Sequence, residues 1–177
     1  MSEYAIEHRT ALGDKRPVIS AAIALGVLPE GQVLHVLSAS ADGDLSGTIR
    51  ASLGCDALAI RAVSPGQWFI VGNETISVSA LVDIVQKLKP HAEIVDQSHG
   101  RIRISIAGSK ATWVLAKGTG VDLALSSFPV GHSTTTLIGH IGAHVTRISE
   151  HEFELMVLRG FAESLWDELV ELSREYR

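Results

Sequence analysis

Short segments that alternate apolar and polar residues, or concentrate β-branched ones, follow one another from Ala57 onward. LAIRAV and WFIVG predict two strands. The sequence Ser64-Pro65-Gly66-Gln67 between them supplies Pro and Gly where a tight turn needs a preset and a permissive φ, so we expect a β-hairpin. EIVD and RIRISIA predict two further strands.

Three segments repeat apolar residues at helical spacing. The first, from Ser77 to Lys89, ends with lysines in its last turn and Pro90 just beyond. A second helix is expected from Ser109, as the N-cap, to Lys117. The third begins at Gly160 and must bury one face against the sheet. The apolar face of this third helix comprises Phe161, Ala162, Leu165, Trp166, Leu169, Val170 and Leu172.

The last third of the chain predicts a second hairpin. TTTLIGHI and HVTRIS flank Gly142-Ala143, a two-residue loop with Gly first, as a type II′ turn requires, and FELMV follows as a third strand. From Trp68 the order is strand, helix, strand, strand, helix, strand, which is the split βαβ or ferredoxin-like arrangement. We therefore expect an α+β fold with a mixed, mainly antiparallel sheet and helices on one face. Residues 1–177 are expected to form a single domain, in which residues 1–56 are the less clearly defined part.

Composition narrows the possible partners. The 177 residues are 46% hydrophobic and 20% charged, enough for a buried core, and the formal net charge of −5 disfavours binding to nucleic acid or anionic lipid. The longest apolar run, 18–28, is too short to cross a membrane. The start MSEYAIEHRT lacks the features of a signal peptide, so a cytoplasmic location is expected.

Several groups of residues have side chains that could form a chemical site. His132, His140 and His144 are the densest histidines, but a turn at Gly142-Ala143 would put His140 and His144 on opposite faces of the hairpin. We therefore expect ordinary polar strand positions and no bound metal. Asp42-Gly43-Asp44, within the loop from Ser38 to Gly47, reads as a turn and not as a calcium site.

Nucleophile and nucleotide sites are also disfavoured. Asp96, Ser98 and His99 are neighbours in sequence, whereas a triad is assembled in space. Cys55, the one cysteine, is expected to be a small buried hydrophobe. The stretch from Ala107 to Lys110 resembles the end of a phosphate loop, but Arg103 occupies the position of its first Gly. No Gly-rich dinucleotide fingerprint follows any predicted strand, so no catalytic, cofactor-binding or metal residue is assigned.

The tryptophans suggest where another protein would bind. Trp113 and Trp166 fall on apolar helix faces and are expected in the core, whereas Trp68 follows a turn and is expected to be partly exposed. An exposed aromatic side chain and an arginine are typical of protein interfaces. Trp68, His99 and Arg101 are therefore the candidate partner-interface residues.

Three stretches taken together resemble one family: SPGQWFIVG, DQSHGRIRISIAGSKATWVLAKGTGVDL and FPVGHSTTTLIGHIGAHVTRISEHEFELMVLRGFAESLWDEL. The family is the gamma subunit of heterotetrameric sarcosine oxidase, and the resemblance extends roughly from Ala57 to Glu171. It implies a fold similar to the folate-binding domain of glycine-cleavage aminomethyltransferases. It also implies alpha, beta and delta partner subunits that carry FAD, FMN, NAD, tetrahydrofolate and zinc, with no cofactor bound by this chain alone.

The implied function is that of an accessory, non-catalytic subunit in the oxidative demethylation of sarcosine to glycine, with tetrahydrofolate as the one-carbon acceptor. One departure supports the accessory role. Aminomethyltransferases carry a Gly-Gly stretch leading to an acidic residue between the strands that correspond to TTTLIGHI and HVTRIS, and here only Gly142 and Ala143 join them. The alternatives are a stand-alone folate-binding one-carbon protein and a metal-dependent enzyme that uses the histidines.

Overall fold

The structure, a computed structural model, describes residues 9–40, 44–53 and 57–177. These residues form ten strands and four α-helices. The strands are β1 Val18–Ile19, β2 Ala24–Val27, β3 Val33–Ser38, β4 Leu58–Ser64, β5 Gln67–Gly72, β6 Ala92–Asp96, β7 Arg101–Ala107, β8 Ser133–Ile138, β9 Ile141–Ser149 and β10 Glu152–Leu158. The helices are α1 Ser46–Leu53, α2 Val78–Leu88, α3 Ala111–Gly118 and α4 Ala162–Leu172.

The strands divide between two sheets. One has six strands in the order β1-β2-β7-β10-β9-β8, and the other has four in the order β4-β5-β3-β6. Each neighbouring pair among the described strands is antiparallel. The predicted α+β class with mainly antiparallel pairing is confirmed, although the strands expected in one sheet form two.

The split βαβ order is present, but it begins earlier in the chain than predicted. The elements β3, α1, β4, β5, α2 and β6 build the four-stranded sheet, in which the spatial order β6-β3-β5-β4 is that of a ferredoxin-like unit. It therefore starts at Val33 and not at Trp68. Strands β7 and β8, which the predicted order places in the same sheet as β5 and β6, belong to the six-stranded sheet.

Alternation along the strands creates three apolar layers. Ile102, Ile104 and Ile106 of β7 face α3 and α4, and together they form the larger core. Residues of the four-stranded sheet pack in the same way against α1 and α2. The remaining faces of the two sheets pack on each other around Phe69 and Met156. The order of layers is therefore helices, sheet, sheet, helices.

The first predicted hairpin and helix are confirmed. Strands β4 and β5 are joined by Pro65-Gly66, and Gly66 has a φ of 73°, which a residue without a Cβ adopts without strain. Ser77 caps α2, because its side chain accepts a hydrogen bond from the Ala80 N–H over 3.2 Å. The predicted N-cap of α3 is wrong, since this helix begins at Ala111 with Lys110 in the cap position.

The second hairpin is a two-residue turn with Gly first, as expected, but it lies three residues earlier. Ile138 pairs with Ile141, so the turn is Gly139-His140, and Gly139 has a φ of 58°. Gly142 and Ala143 are therefore strand residues opposite Leu137 and Thr136. This register buries Ile138, Ala143 and Val145 in the larger core. A turn at Gly142-Ala143 would instead remove Ala143 from the strand.

For the other described segments, some predictions are confirmed and others are wrong. The face of α4 that contacts the sheet contains Leu165, Trp166 and Leu169, as predicted, whereas Phe161 is exposed. Asp44 accepts a hydrogen bond from the Ser46 N–H at the start of α1. Asp42-Gly43 and Cys55 lie outside the described residues. In the part of the chain that the structure describes, no helix has the length and hydropathy needed to span a bilayer.

Candidate functional site

An ion cluster lies between the two sheets and comprises Arg61 of β4, Arg103 of β7 and Glu154 of β10. Glu154 Oε1 accepts a hydrogen bond from Arg61 Nε over 3.1 Å, and Glu154 Oε2 accepts one from Arg103 Nη1 over 3.2 Å. The exposed fractions of the three side chains are 16% for Arg61, 4% for Arg103 and 7% for Glu154. Since unpaired charges are costly to bury, this cluster fixes how the sheets stack.

Arg103 uses its remaining donors within the protein. Its Nη2 donates to the carbonyl oxygens of Pro29 and Gly72, over 3.2 and 2.7 Å, and to Asn73 Oδ1 over 2.8 Å. Desolvation lowers the pKa of the Arg103 guanidinium, and the Glu154 carboxylate opposes that shift. The guanidinium stays charged, because the ordinary pKa of arginine lies far above neutral pH.

A cavity of about 220 Å³ adjoins this ion cluster. Its apolar lining includes Ala59, Val71 and Phe153. The sequence alone does not predict this site, because the alternation in RIRISIA distinguishes the isoleucine face from the arginine face but does not show that a second sheet covers the arginine face. The polar and charged lining comprises Arg61, Asn73, Arg103, Ser105, Glu152 and Glu154.

A second polar group connects β3 to the end of β6. Ser98 Oγ donates to Asp96 Oδ1 over 2.6 Å and accepts hydrogen bonds from Gln32 Nε2 over 2.9 Å and from the Val33 N–H over 3.0 Å. Burial raises the pKa of Asp96, but the hydrogen bonds from Ser98 and Gln32 outweigh it, so the pKa lies below its ordinary value. The Asp96 carboxylate also accepts a hydrogen bond from the Ser98 N–H over 2.9 Å, so these contacts hold the end of β6 against β3.

The predicted partner-interface residues do not share a surface. Trp68 is only 7% exposed and packs against α1 and α2, so the expectation that it is partly exposed is wrong. The reason is the alternation along β5, which directs Trp68 to the helices and Phe69 to the layer between the sheets. The Arg101 guanidinium lies 4.6 Å from the Phe69 ring centroid and bonds Gln97, and His99 is exposed.

Trp113 is the exposed tryptophan among the described residues, with an exposed fraction of 64%, although its helix pattern predicted burial. Lys110 Nζ lies 5.7 Å from the Trp113 ring centroid and 5.8 Å from that of Tyr176. The hydroxyl of Ser20 donates to the backbone oxygen of Tyr176, which holds the C-terminal turn against the start of the six-stranded sheet. We call Lys110, Trp113 and Tyr176 the Trp113 surface.

The three clustered histidines have separate environments. His144 is buried, its Nε2 donates to the Ala62 carbonyl oxygen over 2.8 Å, and burial lowers its pKa. It is therefore not the ordinary polar position that the sequence suggested. His140 belongs to the turn, and His132 lies edge-on to Phe128. Among the described residues, no three His, Cys, Asp or Glu side chains form a group suited to a metal ion.

A protein-family model matches most of this chain. The model of the GCVT N-terminal domain matches residues 50–177. The chain belongs to the GCVT N-terminal domain family. No curated protein matches the sequence.

Two solved structures have a fold similar to that of this chain. A chain of the heterotetrameric sarcosine oxidase from Corynebacterium sp. U-96, in complex with pyrrole 2-carboxylate, superposes with a TM-score of 0.82 at 17% identity, over 96% of this chain and 96% of that one. The glycine cleavage system aminomethyltransferase T from Bartonella henselae superposes with a TM-score of 0.62 at 16% identity. That match covers 85% of this chain but 46% of the aminomethyltransferase.

Proposed function

We propose that this chain is the gamma subunit of a heterotetrameric sarcosine oxidase, an accessory subunit without catalytic residues of its own. The observation that supports this most is the end-to-end match with a chain of such a tetramer, 96% of both chains. The aminomethyltransferase match, in contrast, leaves more than half of that enzyme without a counterpart. The two chains therefore correspond over nearly all of their residues.

In this proposal the complex oxidatively demethylates sarcosine to glycine and transfers the one-carbon unit to tetrahydrofolate. The alpha, beta and delta subunits hold FAD, FMN, NAD, tetrahydrofolate and zinc. The described polar groups agree with an accessory role, because Ser98 and His144 are engaged in structural hydrogen bonds. Redox chemistry in such a complex comes from its cofactors, while this chain contributes binding surface.

The Trp113 surface supports the proposal by offering a contact for another protein. Trp113 is 64% exposed, and Lys110 Nζ lies 5.7 and 5.8 Å from the ring centroids of Trp113 and Tyr176. Aromatic side chains are enriched in the buried centre of protein interfaces. His99 and Arg101 remain candidates for a separate contact, whereas Trp68 does not, because it is buried.

The alternative is a stand-alone folate-binding protein, and membership of the GCVT N-terminal domain family favours it. The hairpin of β8 and β9 argues against it. In the resemblance stated above, aminomethyltransferases have a Gly-Gly stretch and an acidic residue between these strands, but here Gly139-His140 is the entire turn. A two-residue turn supplies no carboxylate for a folate nitrogen.

Co-expression with the alpha, beta and delta subunits of a sarcosine oxidase tests the proposal. We expect a tetramer whose sarcosine-dependent oxidase activity requires this chain, and no activity from the purified chain alone. Trp113→Ala should reduce co-purification, while Arg174→Ala, an exposed change in the turn after α4, should not. Oxidase turnover by the isolated chain would contradict the accessory role.

Titration of the purified chain with tetrahydrofolate separates the alternative from the proposal. The accessory role predicts no saturable change in tryptophan fluorescence. Saturable quenching by folate, together with failure to join the complex, would favour the stand-alone folate-binding protein.

A further inference from the structure

The cavity beside the ion cluster contains one carboxylate, and donors of one guanidinium, that are not used by the ion cluster. Arg61 Nη1 reaches only the neighbouring Ile60 carbonyl oxygen, at 3.4 Å, and Nη2 has no hydrogen-bond partner among the described residues. Glu152 lines the same cavity, and its carboxylate has neither a hydrogen bond nor an ion pair with any described residue. Arg103, in contrast, donates to four acceptors.

The charges of the lining balance. Arg61 and Arg103 contribute two positive charges, and Glu152 and Glu154 contribute two negative ones. A ligand with a single charge would leave an uncompensated charge in a partly buried site, which is costly. A ligand that carries both charges would pair the free donors of Arg61 and the free carboxylate of Glu152 together.

The size of the cavity limits the ligand. Its volume of about 220 Å³ lies below the roughly 300–1,000 Å³ of sites for drug-sized ligands, so a whole folate or flavin nucleotide is too large. The apolar wall formed by Ala59 and Val71 suits a short aliphatic side chain. Arginine offers a planar fork that matches a carboxylate with two parallel hydrogen bonds.

We propose that this cavity binds a small zwitterionic amino acid, with its carboxylate on Arg61 and its ammonium group on Glu152. The site is built entirely from residues of this chain. It requires neither a partner subunit nor folate, so it is independent of the accessory role proposed above and is testable on the isolated chain.

The test is a titration of the ¹⁵N-labelled full chain with glycine and with alanine, followed by NMR. We expect saturable shifts of the backbone amides of Gly72 and Ser105, which line the cavity. Acetate and methylammonium, each with one of the two charges, serve as comparison ligands at matched ionic strength. Each should bind about tenfold more weakly than glycine, because a charge-assisted hydrogen-bond pair is lost.

Two variants locate the binding groups. Arg61→Lys keeps a positive charge beside Glu154 but removes the fork, and it should weaken glycine binding about tenfold. Glu152→Gln removes the negative charge that would bind the ammonium group. Since the Glu152 carboxylate has no partner among the described residues, the fold should be preserved, and the preference for glycine over acetate should disappear. Arg174→Lys, on an exposed arginine of the C-terminal turn, is the matched control and should bind glycine as wild type does.

Three results would each overturn the proposal: no saturable shift with glycine or alanine, glycine affinity unchanged in both cavity variants, or acetate binding as tightly as glycine. If Arg61→Lys fails to fold, the Glu152→Gln variant alone tests the proposal, because only loss of the ammonium contact would remove the preference for glycine over acetate.

Discussion

Arg103 and Glu154 lie on neighbouring antiparallel strands, and Arg103 Nη1 donates to Glu154 Oε2 across 3.2 Å in a layer that a second sheet covers. The same carboxylate accepts a hydrogen bond from Arg61, which belongs to the covering sheet. One carboxylate thus neutralises charge from both sheets. The two sheets therefore stack around Glu154, although the alternating pattern of β10 alone would place this charged residue on a face open to solvent.

Replacing Glu154 by Ala should destabilise the protein by about 3–5 kcal/mol, because two buried guanidinium groups lose their shared partner. Urea denaturation measures the change. Glu171→Ala is the matched control, since Glu171 is exposed on α4 and its pair with Arg174 contributes little. Equal unfolding midpoints for Glu154→Ala and Glu171→Ala would show that the ion cluster does not hold the sheets together.

Trp166→Ala should cost about 3–5 kcal/mol, because Trp166 is buried between α4 and the six-stranded sheet. Trp113→Ala removes a side chain of the same type from an exposed site and should change the free energy of unfolding by about 0.5 kcal/mol or less. Thermal or urea unfolding of both variants makes the comparison. A Trp166→Ala protein as stable as wild type would mean that this helix face is not packed on the sheet.

Gly139→Ala should destabilise the protein by about 1–2 kcal/mol, since an L-residue is strained at a φ of 58°. The added Cβ would also lie 2.8 Å from Glu168 Oε1. Gly142→Ala, in a strand with no atom within 4 Å of the new Cβ, is the control and should be close to neutral. The reverse result, with Gly142 the sensitive position, would place the turn at Gly142-Ala143.

Acidification below about pH 6.5 should reduce stability through His144. Burial depresses its pKa below the ordinary 6.5, so the neutral form stabilises the fold above that pH and this contribution is lost as the pH falls through the folded-state pKa. His35 is shifted in the same direction, mainly by burial. Asp96, whose pKa is also lowered, acts only in the lower range around and below its ordinary 3.8.

The measurement is the free energy of unfolding at pH 7.5 and pH 5 for wild type, His144→Gln and His151→Gln. The decrease between the two pH values should be smaller in His144→Gln than in wild type, because one group that must charge is gone. His151 is exposed, so its variant should follow wild type. The same decrease in all three proteins would contradict the role of His144.

Local pattern determined most of the elements. The spacing of Pro65 and Gly66, the apolar stripe of α2 after Ser77 and the alternation in RIRISIA each depend on contacts within a few residues, and all three structures are present. The position of the second turn was missed, because Gly139-His140 and Gly142-Ala143 both offer Gly first. Only the burial of Ile138 and Val145 against the helices selects between the two registers.

The sequence by itself determined the α+β class, the predominance of antiparallel pairing and the family. Only the tertiary structure decided that the strands form two sheets, that Trp68 is buried while Trp113 is exposed, and that Arg61, Arg103 and Glu154 meet. Period-two alternation records which residues share a face of a strand, but whether water or another sheet covers that face depends on contacts between residues far apart in the chain, such as the 93 positions that separate Arg61 from Glu154.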